Sequence, residues 1–371
     1  MQLDLPTGVS LRLGWPQRTA VLLPAEPHDE VVDVMRAHGF TAIRFSPDLP
    51  PDSVDSLDPF TFLLLGPEAV EDPAGREALS SLRLVSPFAR VLLLSDAQTA
   101  APTLLAALRA GVDDVVDPTD PVALSDAVRG HLTTAGATRE RVLAIGAHPD
   151  DIEIGCAGSL LEHRRRGDRV SLLTMSHGAV GGVADDRGEE SVAAAETLGG
   201  QLLLADLPDT SISDGIDTIR MIEAVVQAID PTVIYVHSKH DNHQDHRAVH
   251  SATLSAARGV PRVLAYQSPS ATNDFTPTKF VAIDEVVIRK LEVLARFESQ
   301  RDRSYLDAEA VVSGARYWAR HLAPRARFAE PFEIIRAIEH PNAMAASARR
   351  TAPDAQGIPD QARLSSGSAI A

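Results

Sequence analysis

Cysteine is almost absent from this chain: Cys156 is the only one in 371 residues. That excludes an internal disulfide and a thiolate-rich zinc site, and the neighbours Ile154, Ala157 and Leu160 mark Cys156 as a small core residue. Long hydrophobic runs are absent too. No stretch approaches the roughly 18 apolar residues of a spanning helix, and Met1-Gln2-Leu3-Asp4 lacks the basic segment and apolar run of a secretory signal. A cytoplasmic protein without a membrane partner is expected. Positive charge is scarce, with 35 Lys and Arg against 51 Asp and Glu and a net charge of −16. Nucleic acid is therefore not expected as a partner, because neutralising phosphates needs clustered cations. The one basic cluster, Arg164-Arg165-Arg166, falls in the last turn of an expected helix, where cations complement the macrodipole.

What is present suffices for two cores. Hydrophobic residues make up 44% of the chain, and the length favours two domains. From 18 to 133, strand-like runs at 19–23, 42–45, 60–65, 90–94 and 114–116 alternate with helical patterns at 29–38, 103–110 and 121–132. A second series begins at Arg141, after a small-residue linker at 134–140. Its expected strands are 141–146, 169–174, 201–204, 232–236, 262–266 and 279–283. Its expected helices are 153–166, 188–198, 215–229, 246–257 and 284–299. Alternation of this kind implies α/β architecture: two Rossmann-like or flavodoxin-like three-layer domains with mostly parallel sheets, at 18–133 and 141–340. Residues 1–17 read as an edge strand or loose arm. Residues 341–371, rich in Ala, Ser, Gly, Pro and Gln, read as a disordered tail.

Two motifs carry chemistry. His148-Pro149-Asp150-Asp151-Ile152-Glu153 follows the apolar run Val142–Gly146 and opens a helical pattern. If Pro149 starts the helix, His148 and Asp151 lie one turn apart and can face one point. His237-Ser238-Lys239-His240-Asp241-Asn242-His243-Gln244-Asp245-His246 follows a second apolar run, Thr232–Val236. His246 is the best third ligand. Two imidazoles and a carboxylate form a catalytic zinc set with a position left for water, and the set also suits Fe²⁺. Asp150 is then free to take a proton from water. His243 could protonate an amine or hydrogen-bond an oxyanion, and Asp245 could orient an imidazole. Taken singly, Asp150 or Asp151 could instead cap the helix. His237, His240 and His250 read as mouth or surface residues, and His163 and His177 as structural. The Gly-rich loop 176–188 reads as a mobile substrate wall.

Together the motifs resemble those of the LmbE/PIG-L family of zinc-dependent N-deacetylases, which includes enzymes of mycothiol and bacillithiol biosynthesis and chitooligosaccharide deacetylases. The resemblance covers about 141–340. It implies zinc on His148, Asp151 and His246, and zinc-activated water attacking an N-acetyl amide with Asp150 as general base. It further implies His243 acting on the reacting group, with Asp245 as its modulator. Arg187, in Arg187-Gly188-Glu189-Glu190, and Asp209, in Leu207-Pro208-Asp209, match substrate-binding positions. Gln244 stands where many relatives have Pro. The implied substrate is a small N-acetylated amino sugar or its conjugate. The alternatives are a non-catalytic sugar-binding adaptor and a single-metal phosphoesterase.

Residues 18–133 resemble a response-regulator receiver (CheY-like) domain, chiefly through Ala107–Val116 and Asp120–Leu124. Its phosphorylation chemistry is missing. Leu64-Leu65-Gly66 stands where the acceptor Asp belongs, Leu23-Pro24-Ala25-Glu26 where the acidic pair belongs, and Asp117-Pro118 where the Lys belongs, while Ser95 is the one polar match. A degenerate receiver-like module is expected, serving homo-oligomerisation or a protein partner.

Overall fold

The computed structural model describes residues 4–23, 29–45, 57–96 and 98–338. Numbered along the chain, the strands are β1 (Val9–Leu13), β2 (Arg18–Leu23), β3 (Phe40–Arg44), β4 (Phe62–Leu65), β5 (Arg90–Leu94), β6 (Asp114–Val116) and β7 (Arg141–Gly146). They continue with β8 (Arg169–Ser176), β9 (Gln201–Leu207), β10 (Val233–His237), β11 (Arg262–Tyr266), β12 (Lys279–Ala282) and β13 (Ala329–Ala337). They form two mixed α/β layers with mostly parallel sheets, as the alternating pattern implies.

The smaller sheet runs β3-β2-β4-β5-β6, with every pair parallel. Counted from β2 this is the 2-1-3-4-5 order of flavodoxin-like sheets. Its central strands β2, β4 and β5 are apolar on both faces because helices cover both. Val21 and Leu23 pack with Leu79 and Leu82, whereas Ala20 and Leu22 pack with Val31, Met35 and Leu124.

The larger sheet runs β1-β9-β8-β7-β10-β11-β13-β12. Its centre, β9 to β11, is parallel. Side chains of β7 alternate between the faces. Val142 and Ala144 meet Ile152, Cys156 and Leu160 of helix Asp151–Arg165, and Leu143 and Ile145 meet Ile222, Val225 and Val249 behind. From β7 the chain moves outward one way through β8 and β9, then returns to build β10 and β11 on the other side. Between the ends of β7 and β10 the connections diverge, which opens a crevice at the carboxyl edge.

Helix Asp151–Arg165 lies close on the sheet. A Cβ on Gly155 would fall 2.2 Å from the Tyr266 ring, so only glycine admits this approach. Tyr266 donates its hydroxyl to the Ile145 carbonyl at 2.9 Å. Further along, buried Glu330 of β13 accepts from the amides of Gly158 (2.9 Å) and Ser159 (2.7 Å) and from Lys290 Nζ (2.6 Å). These contacts fix the helix whose first turn carries Asp151.

Several boundaries differ from expectation. Part of the 1–17 segment is β1, which pairs antiparallel with β9 at the edge of the larger sheet. Helix Pro121–Thr138 runs through the stretch read as a linker up to Thr138. Helix Ala184–Leu198 begins inside the loop read as 176–188, leaving a shorter wall at 177–183. Three helices, Glu68–Glu71, Pro73–Val85 and Ala308–Ala319, and strand β13 form where the sequence pattern predicts no element. The helix read at 284–299 is Val287–Leu294 followed by a separate 3₁₀ turn. The tail 341–371 and Pro24-Ala25-Glu26 lie outside the described residues. Among the described residues no helix is long and apolar enough to cross a membrane.

Candidate metal centre

β7 ends at Gly146, and the next residues turn sharply into helix Asp151–Arg165. Asp150 makes that turn with φ +96°, the left-handed region that non-glycine residues avoid. Such a conformation costs on the order of 1–3 kcal/mol and persists only where its surroundings over-determine it. The Asp150 carbonyl accepts the Ile154 amide at 2.9 Å, but its side chain caps nothing. The Asp151 carboxylate turns back, accepting the His148 amide at 2.7 Å. Neither acid serves as an ordinary helix cap, and Asp150 keeps its carboxylate for the crevice.

β10 ends beside β7 and leads to helix Gln244–Ala256. His243 is the N-cap, its Nδ1 accepting the Asp245 amide at 3.2 Å. His148, Asp151 and His246 each offer a ligand atom, and the three atoms lie within 4.8 Å of one another. Asp151 approaches His148 Nδ1 at 3.2 Å and His246 Nε2 at 3.3 Å. The far nitrogen of each imidazole meets carboxylates. His148 Nε2 lies 3.0 Å from Asp245 and 3.1 Å from Asp209, and His246 Nδ1 lies 2.9 Å from Asp241. This is how metal-ligating histidines are held, with the outer carboxylate fixing tautomer and ring. The donor set therefore fits a divalent ion.

The carboxylate of Asp245 reaches His148, whereas His243 receives only its amide. Asp245 Oδ1 accepts the Ile212 amide at 3.1 Å. Asp209 bridges His148 and the Val180 amide, the latter at 2.8 Å. Arg187 is buried. Its guanidinium donates to the carbonyls of Gly178 (3.1 Å) and Pro149 (2.5 Å) and reaches Asp150 at 3.3 Å. His237 and His250 are buried rather than at the mouth. His237 stacks on His246 at 3.9 Å and approaches Asp151 at 3.2 Å, and its own carbonyl accepts from His250 Nδ1 at 2.7 Å. His240 is half-buried and held by Glu333 at 2.9 Å. His163 is a structural residue between Asp168 and Tyr235.

Asp241 has no role assigned from sequence. Besides His246 it accepts the His243 amide at 2.8 Å and the Ser270 hydroxyl at 2.6 Å, and it bonds Ser268. Its signal is legible in principle, because a ligating His needs a carboxylate on its other nitrogen. Gln300, Arg303 and Tyr305 line the same pocket of 350 Å³. They arrive from two short 3₁₀ turns and the residues between them, far along the chain, and leave no local signal.

Charge is organised around Asp151. Burial alone would raise its pKa, but the imidazoles of His246 and His237 hold it well below the carboxylate range. Burial works against charge on His148, yet bonds to Asp151 and Asp245 lift it to about 10, and Asp151 lifts His246 to about 9. Both shifts report the carboxylates that surround the two rings. Asp150 behaves oppositely: burial, then the Asp151 charge, push it to about 7. Burial and the two neighbouring imidazoles lower His243.

A profile of the PIG-L family, described as GlcNAc-PI de-N-acetylase, matches residues 143–257. That span contains both strand-end motifs, Arg187 and Asp209. The chain is 35% identical over 178 residues to the uncharacterized deacetylase YaiS of Escherichia coli (strain K12), covering 45% of this chain and 96% of the relative. Among solved structures, the conserved protein TT1542 of Thermus thermophilus superposes with TM-score 0.49 at 23% identity, over 54% of this chain and 97% of its own. The N,N'-diacetylchitobiose deacetylase of Pyrococcus horikoshii superposes with TM-score 0.47 at 17% identity, over 57% and 92%.

Proposed function

We propose, from the premise that this chain belongs to the PIG-L family of deacetylases, that it removes the N-acetyl group from an N-acetylglucosamine-type amino sugar or its conjugate. The observation that carries the reading is the convergence of His148, Asp151 and His246 on one point, with the uncapped carboxylate of Asp150 beside it. Those three residues would hold zinc, with Fe²⁺ as the other candidate. A bound divalent ion supplies Lewis acidity, which acidifies water and polarises an amide carbonyl.

The chain's own groups would do the rest. Asp150, raised to about 7, is poised to accept a proton from the attacking water near neutrality. Water oxygen adds to the carbonyl carbon, the C–N bond breaks, and the proton held by Asp150 passes to the departing amine, leaving acetate. His243 is better suited to the oxyanion than to the amine. Its Nδ1 accepts a backbone amide, so the neutral ring carries its proton on Nε2 and offers it as a hydrogen-bond donor. Asp245 and Asp209 orient His148, and Asp241 orients His246. Arg187 and Asp209 act as positioning groups, because their polar atoms already tie the 177–183 wall to the Pro149 turn and to His148. The pocket adjoins a second of 290 Å³ through Ile154, Pro269 and Tyr305, which leaves room for the rest of a conjugate.

The overlapping ligand sets, each containing His148 or His246, suit one ion. That weighs against phosphoester hydrolysis, which usually uses two. We read the smaller sheet as an unphosphorylated receiver-like module that engages a partner or a second copy. Leu105, Leu108 and Val122 stand exposed on its helices. The test is acetate release from a panel of N-acetylated amino sugars by metal-loaded protein. Stoichiometric metal with no turnover on any of them would favour the adaptor reading and sink this one.

A further inference from the structure

The two sheets face each other across the edges where their parallel strands begin. Arg18 opens β2, Arg90 β5, Arg141 β7, Arg169 β8 and Arg262 β11. These strand starts line two adjoining cavities of 540 and 510 Å³. Each cavity is lined by five arginines, with Arg139 common to both, so nine arginines face three carboxylates: Asp113, Glu140 and Asp168. This concentration occurs in a chain of net charge −16.

Ordinary structural uses account for part of it. Arg90 pairs with Asp113 at 3.0 Å, Arg262 pairs with Glu140, and Arg141 holds Asp230 at 2.8 Å. Arg83 and Arg164 donate to the carbonyls of Gly111 and Asp168. Arg18, Arg139 and Arg166 have no hydrogen bond or ion pair through their side chains among the described residues, and Arg169 rests over the Trp15 ring at 5.2 Å. Arg139 is half-buried among like charges: burial and the nearby Arg18, Arg90 and Arg164 lower its pKa, with Asp168 opposing. Arg83 Nε and Arg164 Nε are buried with no hydrogen-bond partner. Helix dipoles explain cations at a helix end, but they do not explain half-buried guanidinium groups crowded against one another.

We propose that this cleft binds a small, multiply charged phosphoryl anion between the two halves of the chain. Arginine is the cation whose planar fork matches phosphoryl oxygens bidentately, and the sites are concave cavities rather than a flat face for an acidic protein. The cleft lies at the opposite end of β7 from His148. Six residues of strand separate them by roughly 20 Å, so binding there is distinct from the metal centre. By touching both sheets the anion stabilises their docking by mass action.

The test is calorimetric titration of the metal-loaded full chain with pyrophosphate at roughly physiological ionic strength, with sulfate in parallel and bound metal measured before and after. One site at least tenfold tighter for pyrophosphate than sulfate is expected. Arg18→Ser/Arg139→Ser should weaken it tenfold or more while acetate release is unchanged. Should that variant fail to fold, the exposed Arg166→Glu serves, again with a tenfold loss expected. Equal affinity in the variant, metal stripped from the protein, or parity with sulfate would each overturn the proposal. Loss of the deacetylase reading would leave the binding result untouched.

Discussion

Two doubly wound sheets stand in this chain, and they use their carboxyl edges differently. At the smaller one, Glu71 reaches Thr103 of a neighbouring helix, but the aspartates after β5 and β6 bond their own backbone. Asp96 accepts the Gln98 amide at 2.9 Å, Asp117 the Thr119 amide at 2.8 Å, and Asp120 the amides of Val122 (3.0 Å) and Ala123 (2.9 Å). At the larger one, acids reach across the crevice to other loops, as Asp245 reaches His148 from 97 residues away. Asp120 and Asp150 make the contrast sharpest, because both stand where a helix begins. One caps the backbone, while the other sits in a strained turn, caps nothing and meets Arg187 across the crevice. The strand-loop-helix plan offers the crevice in both halves, and whether a site forms depends on where the acids send their hydrogen bonds.

Four changes test that contrast. The largest effect should come from His246→Ala: loss of bound metal by elemental analysis and a fall in acetate release of roughly 10³-fold or more, since a metal supplies several kcal/mol of transition-state stabilisation. Retained stoichiometric metal would break the ligand assignment. Next is Asp150→Gly, expected to lower kcat by about 10²–10⁴-fold, the usual worth of a positioned base. It should keep its metal and unfold no lower in temperature than the parent, because glycine relieves the positive φ. Full activity in this variant would end the mechanism. Asp241→Ala should weaken metal affinity by about 10–100-fold while the ligands remain. In the smaller half, Asp120→Ala should cost about 1 kcal/mol of stability through loss of the cap, read as a lower Tm, with kcat unchanged. If Asp120→Ala impaired turnover, the division of labour between the two edges would be wrong.

The sequence makes some of this legible and hides the rest for physical reasons. Apolar runs such as Val142–Gly146 declare buried strands locally, and His148 and Asp151 are close in sequence, although the helix starts at Asp151 rather than Pro149 and a tight turn, not a helical one, brings them together. Pairings over long separations leave no such trace. β1 joins β9 with Val9 opposite Ala205, and nothing near Val9 encodes that partner. Strand β13 and helix Ala308–Ala319 are likewise invisible, since their pattern gains meaning only against β11 and β12. Composition at the second motif suggests that its acids orient histidines, but not which ones. Asp245 precedes His246 in the chain, yet it serves His148. Asp241, five residues before His246, is the acid that serves it.

The smallest expected effect is none at all, and it tests the smaller edge most directly. A phosphorylated receiver needs an acid at the end of its third strand. Here β4 ends in buried Leu65 followed by Gly66, so the strand end itself carries no aspartate to attack a phosphoryl donor, and the nearest carboxylate, Glu68, belongs to the helix that follows. The cation that would steady the product is also missing, because Asp117-Pro118 follows β6. An acid at that point adds repulsion toward an incoming phosphoryl group rather than attraction. Incubation with acetyl phosphate and Mg²⁺ should therefore leave the intact mass and the acetate-release rate unchanged. A phosphoryl adduct mapped to an aspartate within 18–133 would mean that this edge carries chemistry after all, and the contrast between the two halves would collapse.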